Sequence, residues 1–275
     1  MDIYAEITNR IIEQLNAGII PWEKPWVGSG RAVNYITGKP YSLLNQMLLG
    51  KPGEYASFKQ ITGAKGKVKK GEKANMVVFW KWLPIKDEET GEVKEIPFLR
   101  YYNVFHIDQC EGLKPKHETP MPENPASADA NAENIISDYL ASSGVLLHHE
   151  AGDRAFYRPS TDSITLPLVE QFKATSEYYS TAFHEMVHST GHESRLDRLE
   201  KTGFGSEAYS KEELIAEIGA ATLVSHANLE TSASFKNSAA YIQSWLKVLQ
   251  NDKRFITTAA GKAEKAVNYI LGITA

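Results

Sequence analysis

Residues 184–188 read His-Glu-Met-Val-His, and this H-E-x-x-H spacing constrains the chain more than any other stretch. Two histidines four apart face the same way on a helix of about 3.6 residues per turn, one imidazole a turn above the other. The neighbouring residues agree with a helix. Tyr179, Ala182, Phe183, Met186 and Val187 form one apolar stripe, and His184 and His188 share the opposite face. Imidazoles so placed can hold one zinc ion per chain, with Glu185 to the side as a candidate catalytic base. The segment must therefore be a helix with a buried back, inside a domain that supplies a further ligand.

Two routes to that third ligand are open. In the metzincin pattern H-E-x-x-H-x-x-G-x-x-H, Gly191 is in place, but Ser194 stands where the last histidine should be. His192 reads instead as a residue supporting the site or facing a substrate. The other route is a glutamate from a later helix, and "SKEELIAE" offers Glu213 and Glu217. Like charges four apart repel by a few tenths of a kcal/mol, roughly, unless something neutralises them. In gluzincin-type sites the first carboxylate binds metal and the second orients a ligand histidine through its other ring nitrogen. Glu213 is the favoured ligand on this reading, and Glu217 the orienting residue. In the competing reading Ser210 and Glu213 form a capping box and Glu217 is the ligand. His192, Tyr157 and Tyr209 are candidates for stabilising a transition state, and "SITLP" for an edge strand that pairs with an extended peptide.

The rest of the chain predicts an α+β fold in two domains. Residues 113–134 hold four prolines among Ser, Ala, Asn and acids, with almost no large apolar residue. The expected boundaries are an N-terminal domain at 1–112, a proline-rich linker at 113–128 and a C-terminal domain at 129–275. In the first domain, helices are expected at about 2–17, in "SLLNQMLLG" and in "SFKQITGAK". "ANMVVFWKWLPI" and "EIPFLRYYNVFHI" read as a long β-hairpin closed by "KDEETGEV". Alternation puts Val78, Trp80 and Trp82 on one face and Val77, Phe79 and Lys81 on the other, without saying which is core. The second domain is expected to be mostly helical with a small sheet from "VLLHHE", "AFYRP" and "SITLP".

Charge is unevenly distributed. Residues 31–81 hold ten basic residues against two acids, Glu54 and Glu72, inside a chain of net charge −4. Single strands are held by basic grooves with aromatic platforms. Lys59, Lys65, Lys67, Lys69, Lys70 and Lys73, with Trp22 and Trp26 of "PWEKPW", are the candidate DNA-binding residues. The lone cysteine, Cys110, excludes an intrachain disulfide. The N-terminus lacks the basic start of a signal peptide, and no run of about 18 apolar residues spans a membrane. A cytoplasmic protein is expected.

Several segments together resemble a known family. "IPWEKPW", "GKPYSLLNQMLL", "VKKGEKANMVVFWKW" and "NVFHIDQCEG" are similar to the N-terminal single-stranded-DNA-binding domain of ArdC-type antirestriction proteins, a module also found in plasmid conjugation primases. "FYRPSTDSITLP", "YYSTAFHEMVHSTGHESRLDR" and "EELIAEIGAA" resemble the zincin-like metallopeptidase domain that follows it. The resemblance implies a protein of mobile elements that shields incoming DNA from restriction, with single-stranded DNA as partner and a peptide or protein as possible substrate. The alternative is a zinc metalloprotease whose basic N-terminal domain recruits a protein substrate.

Overall fold

The computed structural model describes residues 2–22, 31–86, 93–117, 128–199, 207–229 and 238–273. The chain divides into two compact units, Met1–Ile7 with Arg31–Thr119 and Thr8–Gly30 with Pro120–Ala275. The α+β class holds, with a long hairpin in the first unit and mostly helices with a small sheet in the second.

Helix α1 (Ile3–Asn16) buries Ile7, Ile11 and Leu15 along one face, and Gly18 beyond its end takes φ +73°, the left-handed conformation glycine tolerates best. Within Arg31–Thr119 the first unit holds β1 (Ala32–Asn34), α2 (Leu43–Leu49), β2 (Gly53–Ser57) and α3 (Phe58–Gly63). It ends with β3 (Lys67–Val68), β4 (Asn75–Lys86), β5 (Val93–His106) and β6 (Cys110–Glu111). Gly50, in the left-handed region, stops α2, and a Ser57–Gln60 capping box starts α3. The main sheet has the order β1-β2-β5-β4, with β1 and β2 parallel and the other pairs antiparallel. β3 and β6 form a separate two-stranded ribbon. The residues expected to turn the hairpin, 87–92, lie outside the described residues.

The hairpin departs from simple alternation. Val77 and Val78, on opposite faces, are both buried, whereas Phe79 and Trp80 are both exposed. At the buried end Val77 meets a core of Ala32, Leu49, Tyr55 and Val104. At Val78 the Asn45 side chain of α2 accepts from the backbone N–H and donates to the C=O, both at 2.8 Å. Asn45 thus occupies the outer edge of β4 as a neighbouring strand would. The first residues of the expected linker are anchored. The backbone N–H groups of Lys116 and His117 donate to the buried Glu54 carboxylate at 2.9 and 2.6 Å.

The second unit adds α4 (Ala128–Ser143), β7 (Leu146–Glu150), β8 (Phe156–Arg158) and β9 (Ser163–Pro167). Four helices follow: α5 (Thr175–Thr190), α6 (Glu207–His226), α7 (Ser238–Asn251) and α8 (Phe255–Ile270). Its sheet has the order β7-β9-β8. "SITLP" is therefore the middle strand, buried along its whole length and paired on both sides, and the edge-strand expectation fails. The edge strands are β7 and β8.

Candidate metal centre

Helix α5 turns its apolar stripe inward: Tyr179, Ala182, Phe183, Met186 and Val187 are all buried. Against it lies α6, and Gly219 sets how close the two helices come. A Cβ added at Gly219 would stand 2.7 Å from Val187 Cγ2, so only glycine fits without displacement. This close approach brings the glutamates of α6 over His184 and His188.

The carboxylate of Glu213 lies 3.5 Å from His184 Nε2 and 3.4 Å from His188 Nε2, and the two Nε2 atoms are 3.1 Å apart. Among the described residues, these three side chains form the group able to hold a metal ion, their ligand atoms within 4.8 Å of one another. Ser210 stands inside α6, which begins at Glu207, so Ser210 is not an N-cap and the capping reading of Glu213 fails. Glu217 Oε1 is 3.8 Å from His184 Nδ1. Glu212, which the sequence reading passed over, is nearer its own histidine, with Oε1 3.2 Å from His188 Nδ1.

Arg198 holds Glu212 in place. Its guanidinium donates to both Glu212 oxygens at 2.8–3.2 Å, to Val187 O at 2.6 Å and to Thr190 Oγ1 at 2.9 Å. The chain returns Arg198 to the site through a tight loop after α5. The backbone N–H groups of Arg198 and Leu199 both donate to Gly191 O, at 2.8 and 3.0 Å. Arg195, three residues earlier, fastens the same loop to Asp162 and to Ser189 O.

The donor set suits a cation. With each Nδ1 turned to a carboxylate, each Nε2 presents a lone pair to the other and to Glu213. The two Nε2 atoms and the two Glu213 oxygens, at 3.1–3.5 Å, repel unless a positive charge, a proton or a metal ion, lies among them. The electrostatics follow the same logic. Burial works to lower the His188 pKa, but Glu212 and Glu213 outweigh it and hold the ring up at about 10. Burial likewise opposes protonation of His184, and Glu213 raises it. Burial favours the neutral acid at Glu213, yet the two histidines keep its carboxyl well below the ordinary range.

Glu185 is buried and lines a cleft of about 720 Å³ next to His184 and His188, bounded by Phe156, Tyr209 and Phe255. Tyr157 also reaches the cleft, but its hydroxyl donates to Asp162 at 2.6 Å and accepts from Arg195 at 3.2 Å. His192 is not brought into the metal group; its Nδ1 accepts from Ser194 N at 3.2 Å and lies 2.8 Å from Ser194 Oγ.

In the first unit Lys59, Lys65, Lys67, Lys69, Lys70 and Lys73 are all exposed. Lys69 is tied back, its Nζ donating to Asp108 O at 2.7 Å. Trp22 corrects the sequence reading. It is 3% exposed and belongs to the second unit, its indole edge-on to Trp245 at 5.3 Å, so it cannot stack on a base. Trp26 lies outside the described residues. Among the described residues no helix is long and apolar enough to cross a membrane.

Comparison with known proteins finds relatives for both parts of the chain. The profile of the N-terminal domain of anti-restriction factor ArdC matches residues 1–105, and that of zincin-like metallopeptidases matches residues 132–262. Crystal structures of the antirestriction ArdC protein from the R388 plasmid, metal-free and Mn(II)-bound, align at TM-scores of 0.78 and 0.79 with 34% and 33% identity. Each alignment covers 99% of this chain and 98% of the other. Uncharacterized protein y4eC of Sinorhizobium fredii is 33% identical over 98% of this chain and 91% of its own length. Two DNA primase TraC proteins of Escherichia coli are each 40% identical, but this chain spans 19% and 27% of their length. With both profiles matched in order and the R388 structure aligned nearly end to end, the chain belongs to the ArdC family of antirestriction proteins and carries a zincin-like metallopeptidase domain.

Proposed function

We propose that this antirestriction protein binds single-stranded DNA through its first unit and holds one zinc ion through His184, His188 and Glu213 in its second. The observation that carries the DNA half is the exposed lysine set on and around the β3–β6 ribbon, of which Lys69 is tied back to Asp108 O. Cations displayed on a fixed ribbon suit a phosphate backbone, since each neutralised phosphate releases condensed counterions. The relation to the TraC primases and to the R388 protein supports a DNA partner.

For the metal half, the Mn(II)-bound relative supports a divalent ion, and the two-imidazole, one-carboxylate donor set favours zinc. A bound zinc-type ion would supply Lewis-acid polarisation of a carbonyl. In this reading Glu185, buried on the cleft wall, takes a proton from an attacking water and passes it to a leaving amine. A second reading, a metalloprotease whose basic unit recruits a protein substrate, is favoured by one observation. The edge strand β8 supplies Phe156 and Tyr157 to the cleft, where an extended peptide can add as a strand.

Reversing Lys67, Lys69 and Lys70 to Glu tests the DNA reading. Affinity for a single-stranded oligonucleotide, measured by anisotropy across a salt series, should fall at least about tenfold with a shallower salt slope. Unchanged affinity and slope would refute it.

A further inference from the structure

The lysine ribbon offers phosphate contacts, but with Trp22 buried the bases have no aromatic partner among the described residues of the sequence-derived set. The hairpin supplies one. In the register of β4 and β5, Val77 stands opposite Tyr102, Phe79 opposite Arg100, and Lys81 opposite Phe98. Residues directly opposite in an antiparallel pair share a face, as do alternate residues along each strand. That face is consequently a checkerboard. Tyr102, Phe79 and Phe98 run across it diagonally, and Arg100 and Lys81 fill the squares between them.

All three rings are exposed, Phe79 at 43%, Phe98 at 39% and Tyr102 at 36%. The rings of Phe79 and Tyr102 meet edge-on at 5.7 Å, which holds both in place without covering either. Residues 75–81 and 98–106 contain no Asp or Glu, so nothing acidic on these stretches opposes an anion. The other face of the same stretch adds exposed Trp80 and Tyr101. This many open rings beside the buried Val77 and Val78 is more than a solvated hairpin requires.

We infer that this face of the hairpin is a base-stacking platform for single-stranded nucleic acid. The inference rests on the DNA-binding reading above and says where the bases go. Alternating rings and cations match the chemistry of a single strand, which offers π-faces and phosphates in turn. An apolar protein or uncharged lipid surface would gain from the rings but leave Arg100 and Lys81 to be desolvated without a counter-charge. Spacing adds a preference. The rings of Phe79 and Tyr102 are 5.7 Å apart, and Phe98 and Tyr102, four residues apart on β5, stand about 13.6 Å apart along the strand, both wider than the rise of about 3.4 Å per nucleotide along a duplex strand. Bases seated on successive rings are pulled apart, which an unstacked single strand allows and a paired duplex resists.

The test compares three full-length chains by anisotropy with a labelled oligothymidylate: wild type, Phe79→Ala/Phe98→Ala and Lys81→Gln/Arg100→Gln. The ring variant should bind about tenfold more weakly or worse, with an unchanged salt slope, because stacking releases no counterions. The cation variant should lose affinity together with about 1.4 units of slope, about 0.7 for each of its two charges. Phe79→Tyr/Phe98→Tyr should restore binding, which a folding defect in the alanine variant could not mimic if the melting curves of all variants coincide. Wild-type affinity in the ring variant, with wild type binding tightly, would overturn the platform alone. Failure of wild type to bind the oligonucleotide at low salt would overturn the DNA-binding reading itself. Loss of self-association in the ring variant with DNA affinity intact would identify the face as an interface between copies of the chain, again against the proposal.

Discussion

At the scale of single residues, the metal centre depends on atoms that do not ligate. Glu212 accepts from His188 Nδ1 at 3.2 Å and is itself held by Arg198, so it fixes which nitrogen of His188 carries the proton. Removing such a partner typically lowers metal affinity about 10–100-fold, and Glu212→Gln should do so at the alkaline end of a chelator-competition titration. The same titration has a signed pH dependence. With His188 raised to about 10, the metal-free ring is protonated at neutral pH, and an incoming ion must displace that proton. Apparent affinity of the wild type should therefore rise with pH through the neutral range. In Glu212→Gln the rise should flatten, because the strongest group raising the ring is gone. An affinity independent of pH in the wild type would contradict the ligand role of His188. None of this second set was legible in the sequence. H-E-x-x-H announces itself by spacing along one helix, whereas Glu212 and Arg198 meet only because the loop after Gly191 doubles back. The i,i+4 pattern drew attention to Glu217, which stands at 3.8 Å from its histidine, farther than Glu212 from its own.

At the scale of elements, the spacing between α5 and α6 decides whether the ligands converge. Gly219 faces Val187 with no room for a methyl group. Gly219→Ala gains about 1 kcal/mol of helix propensity, yet overpacking of a filled core costs about 1–3 kcal/mol. The variant should melt at or below the wild-type temperature, and Val187→Ala in the same chain should relieve the strain and raise it again. A Gly219→Ala protein more stable than wild type would show that the helices are not in close contact there. Periodicity was a reliable guide to the elements themselves: the helices Ile3–Asn16, Leu43–Leu49 and Phe58–Gly63 and the long hairpin are all local. Position within a sheet is not local. "SITLP" has the composition of any short strand, and nothing in it says that β7 and β8 will cover both its edges. Nor could alternation along "VVFWKW" show that cover ends at Val78.

At the scale of the whole molecule, the two chemistries lie in different units. The exposed lysines and the hairpin rings belong to Arg31–Thr119, and His184, Glu185, His188 and Glu213 belong to Pro120–Ala275. The charge excess at residues 31–81 was visible in the sequence, whereas the placement of Thr8–Gly30 with the second unit was not. It follows from contacts between residues far apart in sequence, such as the one between Trp22 and Trp245. If shielding of DNA works by occupying the strand, it needs only the first unit. Glu185→Gln replaces a carboxylate by an amide of nearly the same shape outside the three-ligand group, so it should leave metal content and DNA affinity unchanged while removing the proton acceptor of any hydrolysis. The most direct measurement is transfer of an unmodified plasmid into a restricting host that carries either the wild-type protein or Glu185→Gln. Equal protection by the two is the predicted result. Loss of protection by a variant that still binds metal and single-stranded DNA would contradict the account and make proteolysis the mechanism.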